Sequence, residues 1–288
     1  MSKMRSQYRK YTRSTAGNIM YFTFLALMGT FSVLPLVYCV VTSFKPLDEL
    51  LIFPPQFFVR RPTLSNYIVL PSLLNKLQVP MARYIFNSLF VALISTFLHI
   101  IAASLAAFAF SKSKIKYRNL LFFIVQVMLL YSAYTLEVPR YLIFGKMGII
   151  DTYWVYILPA IPSTMGCFLM KQFIDVGVPD ALLEAARIDG ASVFRIYWQI
   201  IMPMVKPAWM TLLLFSFRDM WSIVPSGTIF SEELKTLPQV VSTVTAGGIA
   251  RTGSSMALTV ILMIPPIIVF MISQSHVIET MSSSGIKE

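Results

Sequence analysis

Charge is scarce in this chain: 13% of its 288 residues are Asp, Glu, Lys or Arg, against 56% hydrophobic, and mean hydropathy is +0.70. A soluble domain carries roughly twice that share of charge, so a soluble fold is excluded and a polytopic all-α membrane protein is implied. Acidic residues are the scarcer sign, 13 against 24 basic, which leaves a formal net charge of +11. Cysteine is confined to Cys39 and Cys167, both inside apolar stretches, which argues against a disulfide framework or a cysteine metal site. Histidine is confined to His99 and His276, neither beside a partner motif, so no catalytic or metal constellation is expected. No Gly-x4-Gly-Lys-Ser/Thr loop occurs, and Gly145-Lys146 lacks the upstream glycine. Without that backbone cradle for phosphates the chain is expected to hold no ATPase site and no cofactor of its own.

The basic excess is placed in a way that argues against nucleic acid. It gathers in an N-terminal tail (Lys3, Arg5, Arg9, Lys10, Arg13) and in one short loop (Lys112, Lys114, Lys116, Arg118). Each cluster flanks an apolar run, as the positive-inside rule requires of topology-setting charges. Six runs of membrane length follow, at about residues 14–44, 84–111, 119–138, 152–172, 203–224 and 256–278. The first is too long for a signal peptide and has no small-residue cleavage pattern after it, so it reads as an anchor. With the tail 1–13 inside, six crossings bring the short tail 281–288 inside as well. The loops at 45–83 and 225–255 are then external, the first with turn-forming Pro54, Pro55 and Pro62. Alanines 102, 103, 106, 107 and 109 invite close helix packing in the second span.

One segment, residues 178–203, is polar enough to lie outside the membrane and long enough to fold. Pro179 and Asp180 suit a first helical turn, Ala181 to Ala186 are strong helix formers, and Gly190 supplies a left-handed stop. Ser192 can cap a second short helix that Pro203 closes. Ala185 and Ala186 leave a shallow face that another protein's surface can approach. Glu184 and Arg187, three apart, can pair on one face or reach partner charges. Two short helices with a glycine turn also resemble a DNA-binding helix-turn-helix, but the flanking segments are membrane-length. Counting spans puts this segment on the side of the basic clusters.

In the fifth span, Arg218 and Asp219 fall about 22 Å along the axis from Pro203 at 1.5 Å per residue. Charges at that depth face a cavity or another helix, unless they snorkel to the interface. Arg218, Asp219 and Trp221 read either as a lining for a solute path or as interfacial residues, and Tyr131 and Tyr134 on the third span are similar candidates.

Glu184-Ala185-Ala186, three residues, Gly190, nine residues, Ile200, one residue, Met202 and Pro203 resemble the EAA loop of ABC-importer permeases, with Met202 where leucine is usual. Phe86-Asn87-Ser88-Leu89, Lys146 to Thr152, and Lys206-Pro207 extend the likeness to the MalG-like permeases of binding-protein-dependent carbohydrate importers. Ser231 to Lys235 and Ser273 to Glu288 resemble the LplC/YtcP branch of Gram-positive bacteria. The resemblance implies a type I importer fold of six transmembrane helices with a cytoplasmic coupling helix. It implies that Asp180, Leu182, Glu184, Ala185, Ala186, Arg187, Asp189 and Gly190 meet an ATPase. It also implies a second permease subunit, two ATP-binding subunits that hold ATP and Mg, an extracellular substrate-binding lipoprotein and an oligosaccharide substrate, all at the bacterial cell membrane. An importer for another solute such as a peptide, a secondary transporter and a membrane scaffold are the rival readings; the second tends to need mid-membrane titratable groups, nearly absent here.

Overall fold

The computed structural model describes residues 15–75, 78–131, 133–225 and 227–285. The basic tail 1–13, the side chain of Tyr134 and the last residues 286–288 lie outside them. Every regular element among the described residues is helical. In chain order these are α1 (Thr15–Ser43), α2 (Leu47–Leu50), α3 (Ser65–Asn75), α4 (Met81–Lys112), α5 (Arg118–Met128), α6 (Glu137–Met147), α7 (Trp154–Ala160), α8 (Thr164–Gly177), α9 (Asp180–Ile188), α10 (Val193–Ile196), α11 (Met202–Met204), α12 (Lys206–Trp221), α13 (Leu237–Thr245) and α14 (Thr252–Gly285).

Four stretches are long and apolar enough to cross a bilayer by themselves: Ala16–Ser43, Met81–Lys112, Trp154–Gly177 and Thr252–Ser275. Val193–Met204 and Lys206–Trp221 form a fifth only if taken together, and they meet at an 81° bend. The apolar run at 119–138 is divided. Leu129, Leu130 and Tyr131 donate to carbonyls three residues back, which tightens and ends α5, and Glu137 opens a new helix. An acid in the first turn and Pro139 just after it are both suited to a helix start. That pair was the sequence signal for the break.

The scaffold is built on α4, which packs against α8 on one side and α12 on another, while α12 also packs on α14. Most of the buried face of α4 is small or polar, Asn87, Ser88, Ala92, Ser95, Thr96, Ala103, Ser104 and Ala107, beside the larger Tyr84, Val91 and Ile100. Of the five alanines expected to pack closely, Ala103 and Ala107 are buried, one turn apart. Such residues bring helix backbones together and let hydroxyls bond across the contact. Ser216 of α12 donates to Thr96 in this way at 3.4 Å. By contrast α1 touches mainly α14, and none of its apolar window is buried. Asn66 of α3 holds its end, donating at 2.8 Å to the carbonyls of Ser43 and of Lys45 just beyond the helix. Gly253 is needed beside that amide, since a Cβ there would lie 2.5 Å from Asn66 Oδ1.

At the end of the bundle where α4 begins, polar contacts tie three segments into one knot. Asn87, fully buried, donates to the carbonyls of Glu233 and Lys235 at 2.8 Å and accepts from Tyr153 at 2.7 Å. Ser88 accepts from the Leu237 amide at 2.8 Å, and Tyr156 donates to the Leu234 carbonyl at 3.0 Å. Asp151 accepts from the amides of Phe230 and Ser231 at 2.9 Å and from the Ser231 hydroxyl. Burial pushes the Asp151 carboxyl up, but those three donors outweigh it and hold it below its ordinary range.

Candidate coupling site

The opposite end of the bundle carries α9 and its turn. Pro179 is extended (φ −63°, ψ 139°) and starts the helix, with Asp180 in the first turn. Lys112, at the end of α4 and nearly buried, donates to the Val178 carbonyl and to Asp180 Oδ1, both at 2.7 Å. That contact, with the Lys112 charge, holds the Asp180 carboxyl below its ordinary range. It also brings the basic loop and α9 to the same end of the molecule. Leu183 is 3% exposed and enters a core cluster with Ala107, Ile174, Ile196 and Ile201.

The stop is a Schellman arrangement: the Gly190 amide donates to the Arg187 carbonyl at 3.1 Å and the Ala191 amide to the Ala186 carbonyl at 2.9 Å. Gly190 sits at φ +77°, and Ala186 and Ala191 pack together on the core cluster. Ser192 then caps α10 by accepting from the Arg195 amide at 3.3 Å.

These contacts orient the candidate residues. Asp180, Leu182, Glu184, Ala185, Arg187, Asp189 and Gly190 are exposed together. Ala186 is turned inward, so the shallow face expected of both alanines is formed by Ala185 alone, because 100° per residue separates them. Glu184 and Arg187 do not pair among the described ion pairs. Around this face Ile188 is 87% exposed, Phe194 71% and Val193 64%, a concentration of apolar surface of the kind that marks an interaction site.

Pro203 does not close the second helix. Residues Tyr197–Ile201 form a π-turn, Met202–Met204 continue it, and the chain bends only at Val205 (φ −99°, ψ 24°). The helix survives the proline because the wider turn has already displaced the hydrogen-bond ladder there. Trp209 Nε1 donates to the Met202 carbonyl at 3.1 Å across the bend, and Tyr197 shares a 2.6 Å hydrogen bond with Ser104. The bend is therefore tied to α4 and α12 together.

The candidates for a solute path are not brought together. Arg218 and Asp219 are exposed and paired with each other, two guanidinium nitrogens reaching one carboxylate oxygen at 2.8 and 3.1 Å. Arginine's length overcomes the 100° between neighbours. Trp221 is a correction: it is 2% exposed, stacked on Phe217 with centroids 5.8 Å apart, and bonded to the Leu262 carbonyl at 2.8 Å. Its ring is core packing between α12 and α14 and offers no face to a sugar. Tyr131 is exposed in the turn after α5. A groove of about 590 Å³ lies elsewhere, between α4, α12 and α14 beside the bend. Sequence reasoning missed this groove and the polar knot, although the latter uses Asn87, Ser88 and Asp151 from segments already singled out.

The family described as binding-protein-dependent transport system inner membrane component matches residues 68–283. Protein LplC of Bacillus subtilis is 30% identical over 207 residues, 69% of this chain and 65% of that protein. The arabinooligosaccharides transport system permease protein AraQ of Halalkalibacterium halodurans is 26% identical over 274 residues, 92% of this chain and 94% of AraQ. A chain of a bacterial ABC transporter involved in the import of the acidic polysaccharide alginate has the same fold, with a TM-score of 0.74 at 22% identity over 92% of this chain and 99% of that one.

Proposed function

We propose, from the premise that this chain belongs to the family of binding-protein-dependent transport system inner membrane components, that it is the permease subunit of an ATP-driven importer of an oligosaccharide. The substrate class is supported by relatives named for arabinooligosaccharides and for polygalacturonan and rhamnogalacturonan. The single observation that carries the coupling role is α9 itself. It is fastened to α4 by Lys112 and to the core by Leu183, yet leaves Leu182, Ala185, Arg187 and Ile188 exposed.

In this reading α9 sits against an ATPase subunit that holds ATP and Mg, and Asp180, Leu182, Glu184, Ala185, Arg187, Asp189 and Gly190 form or shape the contact. Ala186 acts from behind by seating the helix. Closure of two ATPase subunits draws the coupling helices of this chain and a second permease together. The rigid tie through Lys112 and Tyr197 passes that motion to α4 and α12, which opens the path outward; hydrolysis resets it. A lipoprotein delivers the sugar to the outer face, where Arg218, Asp219 and Tyr131 are the exposed polar groups proposed to meet hydroxyls. Both termini and α9 are cytoplasmic in this arrangement, at the bacterial cell membrane.

The test is co-purification of the full chain with its ATPase from a strain expressing the whole system. Leu182→Asp, which places a charge on the open face, is expected to lose the ATPase while remaining in the membrane fraction. Retention of the ATPase by that variant and by Ala185→Trp together would remove α9 from the interface.

A further inference from the structure

The groove beside the bend has an unusual division of chemistry. Its walls are apolar along Phe97, Ile100, Leu213 and Phe217, and its cation is Lys206, exposed and without an ion-pair partner among the described residues. Trp198 and Trp209 stand at the lysine end. Tryptophans beside a lysine are the side chains that settle at the headgroup level of a bilayer. Lys206 and Phe217 lie eleven residues apart on α12, so the groove extends about 16 Å at 1.5 Å per residue, the depth of one leaflet of a ~30 Å hydrocarbon core. Ser273 of α14 lines the wall, is fully buried, and its hydroxyl has no hydrogen-bond partner. An unfilled donor in an apolar wall asks for an acceptor from whatever lies there.

We propose that this groove binds one anionic glycerophospholipid from the leaflet on the coupling-loop side. Its phosphate meets Lys206, an acyl chain lies along Leu213 and Phe97 toward Phe217, and an ester carbonyl accepts from Ser273. A helix of a second protein would fit the apolar walls, but it would need an acidic side chain opposite Lys206 and would leave the leaflet-length match without a cause. Because Trp198, Met202 and Pro203 also line the groove, the lipid would brace the bend that links α9 to α12. The inference needs the chain to cross a bilayer and needs no particular sugar or ATPase.

The experiment is native mass spectrometry of the purified full chain, released from nanodiscs of equal phosphatidylglycerol and phosphatidylcholine, with no ATPase present. The wild type is expected to retain one phosphatidylglycerol at about fivefold preference over phosphatidylcholine, the scale of one basic residue at a membrane surface. Lys206→Gln is expected to abolish the preference, and Leu213→Trp, which fills the groove, to lower retention of both lipids. Ser273→Ala is expected to weaken retention without changing the headgroup preference. Equal retention of the two lipids by the wild type, or an unchanged preference in Lys206→Gln, overturns the proposal. So does a photo-crosslinker at position 213 that captures a second protein chain instead of lipid. If Leu213→Trp fails to fold, Lys206→Gln still decides, since residue 206 is exposed. A negative result leaves ATPase co-purification untouched, so the two readings fail separately.

Discussion

Gly190 holds φ +77° with open space where a Cβ would be, so a side chain there is opposed by backbone conformation and not by crowding. Gly190→Val is expected to cost about 1–2 kcal/mol at the turn, the penalty for a left-handed L-residue, with more for β-branching. The helix should insert as before while substrate-stimulated ATPase activity of the assembled transporter falls sharply; unchanged uptake would separate the turn from coupling. Lys112 is a second point of leverage, because its ammonium serves a backbone carbonyl and a carboxylate at once. Lys112→Met should destabilise the α4–α9 contact by about 1–3 kcal/mol, read as earlier thermal unfolding or as proteolysis within residues 178–190. The lowered carboxyl of Asp180 fixes the sign of its pH response. Its contribution is complete above an ordinary aspartate value near ~3.9 and is lost as pH falls through the lower folded value. Asp151 follows the same sign at the other end of the bundle. Neither carboxyl titrates between about pH 5 and 8, so Asp180→Asn should leave the shape of the activity profile over that range unchanged.

At the scale of elements, the turn 197–201 is the feature with most consequence. A π-turn amounts to one residue inserted into an α-helix, and here it sets the rotation of the segment after α9 relative to α12. Deleting Gln199, an exposed residue of that turn, should restore the α-helical register and swing α9 by about 100° about the helix axis. The expected result is a chain that inserts and pairs normally but does not stimulate its ATPase, measured in proteoliposomes; normal stimulation would mean the turn is tolerated and not used. None of this was legible in the chain, because a π-turn has no signature residue and Pro203 points to a helix end two residues early. What was legible rested on local chemistry. Pro179, Gly190 and Ser192 each act through their own backbone neighbours, and each sits where the sequence reading put it. Ala186 and Trp221 were misjudged because which way a side chain faces depends on the helix behind it. The division of 119–138 was overlooked because an uncharged run looks continuous until Glu137 and Pro139 are read as a helix start.

The whole molecule has two chemically distinct ends. One carries α9, the pair Lys112–Asp180 and the basic loop of Lys114, Lys116 and Arg118; the other carries Asp151, Arg83 and the 231–237 segment bound to Asn87 and Ser88. In the proposed arrangement the first end is cytoplasmic, the side that the positive-inside rule favours for the basic loop, and an ATPase would be reached only there. Orientation is therefore the property on which coupling depends. After Cys39 and Cys167 are replaced by Ala, a single cysteine at exposed Ala181 should react with a membrane-impermeant maleimide only in inverted vesicles or permeabilised cells. A single cysteine at Phe230, 63% exposed at the opposite end, should react in intact cells once the outer wall is removed. Reaction of the Ala181→Cys chain in intact cells would put α9 outside, beyond the reach of any nucleotide-driven partner.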